Sequence, residues 1–181
     1  MSEKSAGGTI DLKAAWQARE DEIRSVTRSW GVLTREQLAG KSGVEMFRAM
    51  IAGELPAPPI TKTLDFILVE AEPGRIVFQG RPGFAHYNPM GTVHGGWFAT
   101  LLDSAVACAV QASLPAGKAY TTAELKINIV RPLTDKVPLV RAEGKVIHVG
   151  GRMATADGRL TGCDGKLYAH ASTTCFIFDA P

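Results

Sequence analysis

The stretch 88–103 holds residue types that could do chemistry together: bare backbone N–H groups, an imidazole and a carboxylate. It opens Asn88-Pro-Met-Gly-Thr-Val-His94-Gly95-Gly96 and reaches Asp103 inside an apolar run, Trp97 to Leu114. Asp103 is the one charged residue between His94 and Lys118. A carboxylate in an apolar helix is costly to bury unless something pairs with it or uses it. The Gly95-Gly96 pair places N–H groups at a helix N-terminus, where such groups bind anions and polarise carbonyls. Each residue also has a plainer use. The glycines permit a tight loop-to-helix turn, His94 suits a cap, Asn88 before Pro89 suits a turn, and a buried Asp can be satisfied by Ser/Thr or backbone donors. The residue types alone leave both readings open.

Spacing adds a constraint. Asp103 lies nine residues beyond His94. At ~100° and ~1.5 Å per residue, nine steps turn by ~900° and rise by roughly 13 Å, so the two side chains point to opposite sides of the helix. If both serve one site, His94 of one subunit meets Asp103 of another, and a two-fold dimer then makes two equal sites.

Around this helix the pattern reads as follows. Residues 11–30 are helix-like, with Trp16, Ile23 and Val26 among charges. Thr34 and Gln37 form a capping box for a second helix running to about Gly53, with a break at Gly40 to Gly43. Glu54 to Pro59 reads as a linker. Leu64–Glu72 and Arg75–Gly80 make a hairpin about Pro73-Gly74, and residues 81–93 form a loop. After the helix come four strands. Tyr120–Val130 has Ala123, Leu125, Ile127 and Ile129 on one face. Leu139–Val149 and Arg152–Leu160 turn at Gly150-Gly151. Lys166–Phe178 alternates inward at Leu167, Ala169, Ala171, Thr173 and Cys175. The order is β-β-α-β-β-β-β. Short turns imply antiparallel pairing, and the apolar helix at 96–114 is the available cover for the sheet. The fold class is α+β: a curved antiparallel sheet wrapped around one long buried helix, with an N-terminal helical extension.

The 181 residues, 45% hydrophobic and 21% charged with net charge +2, suit one soluble domain with an extension. Residues 1–60 form the extension and 61–181 the domain; residues 1–10 are small and polar, and fraying is expected there. Neither the charge nor the first twenty residues point to nucleic acid, a membrane or a signal peptide. Cys108, Cys163 and Cys175 are odd in number and widely spaced, which argues against a metal site or a disulfide framework. A cytoplasmic protein is expected.

The combined pattern N-P-x-G-x-x-H-G-G-x-x-x-x-L-x-D resembles the signature of PaaI-type (phenylacetyl-CoA thioesterase-like) hot-dog acyl-CoA thioesterases, over roughly 60–180. The resemblance implies hydrolysis of an acyl-CoA thioester to acid and coenzyme A at an interface site. It makes Asp103 the general base or nucleophile and Gly95 the N–H donor to the thioester carbonyl. It gives His94 the orienting of the thioester and Asn88 the placing of water. A Ser/Thr on the strand after the helix completes the set; Thr121 and Thr122 are both present, and Thr122 fits better. Weaker assignments are Gly96, Gly150, Arg152 and Arg131 in substrate binding, with Arg141 and Lys145 as further candidates for the coenzyme A phosphates. No cofactor or metal is implied, since coenzyme A belongs to the substrate. A homo-oligomer is implied, at least a dimer, with a tetramer expected. Trp97 and Phe98, directly after the glycines, are expected to narrow the acyl tunnel.

Three rivals stand beside this reading. Leu33–Val44 looks like a helix-turn-helix fragment of a DNA-binding regulator. Residues 1–60, however, carry eight Lys/Arg and eight Asp/Glu, without the basic footprint of a DNA binder. A non-catalytic acyl-CoA-binding hot-dog protein is a second alternative. A hot-dog enoyl-CoA hydratase or dehydratase is a third, for which a different His/acid arrangement is expected.

Overall fold

A computed structural model describes residues 11–180 of the chain; the fraying expected of residues 1–10 lies outside the described residues. Four helices lead: α1 (Leu12–Val26), α2 (Arg35–Leu38), α3 (Gly43–Ile51) and α4 (Pro59–Thr63). The strands β1 (Phe66–Glu72) and β2 (Arg75–Gly80) follow, then helix α5 (Gly95–Gln111). The strands β3 (Lys118–Ile129), β4 (Val140–Val149), β5 (Met153–Gly162) and β6 (Leu167–Asp179) complete the chain. All six strands pair antiparallel in one sheet, in the order β1-β2-β4-β5-β6-β3.

Local chemistry sets the ends of these elements. The expected capping box on α2 is present, with Thr34 and Gln37 bonded reciprocally. The expected break separates α2 from α3, and Gly40 there takes φ +72°. Ser42 and Glu45 cap α3. The linker is shorter than expected because Pro59 starts α4, a position where proline's missing N–H costs nothing.

Helix α5 is the sausage in this roll. Leu101, Leu102, Ala105, Val106, Ala109 and Val110 are wholly buried against the concave sheet. The approach is close: a Cβ at Gly144 of β4 would stand 2.2 Å from the Ala105 carbonyl oxygen. Likewise a Cβ at Gly43 would stand 1.7 Å from the Gln111 oxygen, so α3 lies directly against the end of α5.

On strand β3 a bulge at Ala123 corrects the expected face. Tyr120 and Thr122 point inward before it, Leu125 and Ile127 after it, and Ala123 is exposed.

The N-terminal extension covers the outer face of β1 and β2. Ile23 packs there with Ile67, Val69 and Val77. Beside them Glu20 is completely buried. It accepts from Arg24 Nε (2.6 Å), Gln79 Nε2 (2.6 Å) and Arg81 Nε (2.7 Å). At the free edge of β1, Arg19 donates to the Val69 carbonyl and Arg48 to that of Ala71. These guanidinium groups stand where a further strand would put its N–H groups, and they blunt that edge. The opposite edge, β3, carries no such cover among the described residues.

Candidate active site

Helix α5 begins at Gly95, with His94 as its cap. The His94 ring Nδ1 accepts the Gly96 N–H at 2.9 Å. The His94 N–H donates to the His86 carbonyl (2.8 Å) and the Val93 N–H to that of Leu133 (2.9 Å), which fixes the approach to the helix. Gly96 therefore spends its N–H on the cap, and Gly95 is left with an N–H that has no acceptor among the described residues. Gly95 lines a groove of about 370 Å³ together with Asn88, Thr92, Phe98, Ile129 and Arg131, among others. The Arg131 side chain has no ion-pair partner among the described residues and stands exposed at its rim.

The Asn88 side chain is spent on the loop. Its Oδ1 accepts from the N–H groups of Met90 (2.9 Å) and Thr92 (3.3 Å), and its Nδ2 donates to Thr92 Oγ1 (3.0 Å). With the Asn88 N–H on the Thr92 carbonyl (2.7 Å), residues 88–92 form a closed clasp. The sequence names Asn88 but gives no sign of Thr92, because a turn motif does not tell which side chain closes it.

Asp103 lies half-buried on another part of the helix surface, outside this groove. Thr122 Oγ1 donates to its Oδ1 at 3.1 Å. Burial pushes the Asp103 carboxyl above its ordinary range, and the Thr122 bond pulls the other way. No cation pairs with it among the described residues. The structure thus brings together Asp103 with Thr122, and Gly95 with His94, Asn88 and Arg131. The two groups stand apart in one chain, as the helix phase requires.

Other expected site residues lie elsewhere. Gly150 and Arg152 sit in the β4–β5 hairpin, where the Arg152 carbonyl bonds Ile177, beside the C-terminal end of α5 and away from Gly95. Arg141 is held beneath α1: it donates to Gln79 (2.9 Å) and Glu70 (2.7 Å) and lies 4.6 Å over the Trp16 ring, so it is not free to meet a phosphate. Lys145 is exposed beside Glu143. Phe98 lines the groove beside Gly95, and Trp97 does not. Its Nε1 donates to the Leu64 carbonyl at 2.9 Å and its ring stacks on His86, because its helix position faces the β1–β2 end of the core.

A family model described as the thioesterase superfamily matches residues 90–169, which span the cap, α5 and Asp103. A phenylacetic acid degradation-related protein from Ralstonia eutropha JMP134 has the same fold at 30% identity and a TM-score of 0.65, over 72% of this chain and 98% of that one. The chain belongs to the thioesterase superfamily. Within it, this is a PaaI-like hot-dog protein. A mutant of the phenylacetic acid degradation protein PaaI from Thermus thermophilus matches at 28% identity, 65% of this chain, 97% of that one and a TM-score of 0.59. A thioesterase protein of Streptococcus pneumoniae TIGR4, solved with coenzyme A, shares the fold at 22% identity over 63% of this chain and 86% of that one, with a TM-score of 0.56. No curated protein matches the chain. No helix among the described residues of this thioesterase-superfamily chain is long and apolar enough to cross a membrane.

Proposed function

We propose that this protein is an acyl-CoA thioesterase whose site is completed by a second copy of the chain. One observation carries the reading: a half-buried carboxylate with a threonine partner and no cation among the described residues lies on one side of α5, while Gly95, whose N–H has no acceptor among the described residues, lines a groove elsewhere at the N-terminus of the same helix. The open β3 edge offers the way to join them. Thr122 lies against Asp103, and a Cβ at Gly95 would touch Ile129 at 3.4 Å. A second β3 added antiparallel, with its two-fold axis near Leu125–Lys126, faces Thr122 of one chain with Ile129 of the other. That register sets the carboxylate of each chain toward the Gly95 groove of its mate and makes two equal sites.

In such a site the Gly95 N–H binds the thioester carbonyl oxygen as negative charge develops on it, at the positive end of α5. The ionised Asp103 takes a proton from the attacking water or itself attacks the carbonyl carbon, and the thiolate of coenzyme A leaves. The raised carboxyl pKa strengthens it as a base. His94, bonded through Nδ1, keeps its cap geometry and holds Gly95 in place. The pneumococcal relative solved with coenzyme A supports this thioester class, and the exposed Arg131 at the rim, without an ion-pair partner among the described residues, suits a phosphate. No cofactor enters the reaction.

The test is thiol release from a panel of acyl-CoA esters, short, medium, long and aromatic, by the wild type and by Asp103→Asn. Turnover of at least one ester, lost ~10²-fold or more in the variant, is expected. Enoyl-CoA hydration without thiol release would overturn the reading in favour of a hydratase, and binding without either reaction would leave a non-catalytic acyl-CoA-binding protein.

A further inference from the structure

From Asp103 a bound acyl group has two ways to run along α5. Toward the N-terminus the surface is wet: half-buried Thr100 bonds the Gly96 carbonyl, and Gly96 and His94 are exposed. Toward the C-terminus it turns apolar. Ala107, one turn on, is 2% exposed. It belongs to the cluster against which Tyr120 packs. Tyr120 is the inward residue next to Thr122 on β3, roughly 7 Å from it along the strand. Its hydroxyl reaches across the helix to Cys108 Sγ at 3.8 Å. The ring therefore lies over α5 and ends the apolar route one step beyond the carboxylate. Behind Cys108 is a small apolar cavity of about 40 Å³, walled by Ile23, Phe47, Met50, Pro58 and Phe78. Most of that wall comes from the N-terminal extension. Burial pushes the Tyr120 hydroxyl and the Cys108 thiol to higher pKa, so both stay neutral, as an apolar end wall needs.

Resting on the acyl-CoA thioesterase reading, we propose that Tyr120, pinned on Cys108, is the residue that sets the length of the acyl group. The apolar acyl part lies toward Ala107 and stops at the Tyr120 ring, while the coenzyme A part leaves by the wet end. The substrates are then compact acyl groups, a short chain or a single ring. The N-terminal extension fixes this limit from behind by holding Cys108 in place.

The experiment reads kcat/KM for a series of straight-chain acyl-CoA esters, and binding of the matching S-alkyl coenzyme A thioethers, which cannot be hydrolysed. Wild type, Tyr120→Phe, Tyr120→Ala and Cys108→Ala are compared, with folding checked by circular dichroism. Tyr120→Ala is expected to raise the long-to-short preference at least tenfold in both readouts, while Tyr120→Phe, which keeps the ring but loses the hydroxyl contact to Cys108, raises it by a smaller factor. Cys108→Ala enlarges the 40 Å³ cavity behind the Tyr120 ring, room near the ≈30 Å³ that one water occupies into which the ring can move back, and so shifts the limit by only a carbon or two. If Tyr120→Ala does not fold, this smaller shift decides the matter. A folded Tyr120→Ala with an unchanged profile overturns the proposal although hydrolysis stands. Absence of thiol release, together with thioether binding whose length limit Tyr120→Ala relaxes, removes the hydrolase reading and leaves the pocket. Neither turnover nor binding overturns both.

Discussion

Replacing Gly95 by proline deletes one N–H from the site, and the Cβ it adds has room. Gly95 is the first residue of α5, the helix position where proline is favoured. His94 before it has φ −64° and ψ 140°, the extended conformation that a residue preceding proline adopts. A Cβ at 95 meets only the Ile129 Cδ1 at 3.4 Å, the movable end of a side chain. The helix is therefore expected to form with unchanged thermal stability. The lost donor is the one assigned to the thioester oxygen, and loss of one such donor costs ~10²–10³-fold in kcat, or ~2.7–4 kcal/mol of barrier. Gly95→Ala keeps the N–H and the same Ile129 contact, so it is expected to keep most of the activity. The assay is thiol release at saturating ester, with a melting curve for each variant. A folded Gly95→Pro within about threefold of the wild type would refute the reasoning, because no other change in the variant restores a donor at that place.

Further outcomes follow from the same contacts. Thr122→Val removes the bond that lowers the Asp103 carboxyl, so the acidic limb of the kcat/KM profile is expected to move to higher pH; an unmoved limb would mean that Asp103 is not the titrating base. Asn88→Ala breaks three side-chain bonds of the clasp and is expected to cost about 2–3 kcal/mol in urea denaturation. Asn88→Asp keeps the Oδ1 acceptor and can take the Thr92 hydroxyl as donor, so it should unfold close to the wild type. Glu20→Ala strands Arg24, Arg81 and Gln79 and should cost about 3 kcal/mol, the lower end of the range for breaking a buried pair, since both arginines are about one-third exposed and can turn to water. A loss below about 1 kcal/mol there would show that the network does not hold α1 to the sheet.

What the sequence tells about this molecule is mostly what neighbouring residues decide. The alternation in β6, the Gly150-Gly151 turn and the Thr34–Gln37 box are short-range patterns, and each is found in place. The helix phase separating His94 from Asp103 follows from counting, and Thr122 does lie on Asp103. The bulge at Ala123 escapes a period-of-two reading because one inserted residue resets the alternation. Without that bulge the inward set would follow Ala123 and Leu125, rather than switch between Thr122 and Leu125. Residue type alone makes Arg141 a free cation and Trp97 a tunnel wall. Their partners, Gln79 and Glu70 for the one and the Leu64 carbonyl for the other, are dozens of residues away and leave no local signal. The same holds for the buried Glu20, whose charge reads as solvent-facing until Arg81 and Gln79 close over it. Tyr120 and Cys108 look like ordinary core residues in sequence; only their meeting across α5 marks the end of the apolar route.

The central claim, a site shared by two chains, is tested most directly by mixing two inactive variants. Asp103→Asn lacks the carboxylate and Gly95→Pro lacks the N–H, so each alone has no intact site. After unfolding and refolding together in equal amounts, half the dimers are mixed, and each of these holds one site with both groups intact. About one quarter of the wild-type activity is then expected to return, since a two-fold dimer makes two equal sites. If the mixture stays as inactive as its parts while mixed dimers are seen by mass, the carboxylate and the N–H act within one chain and the account is contradicted.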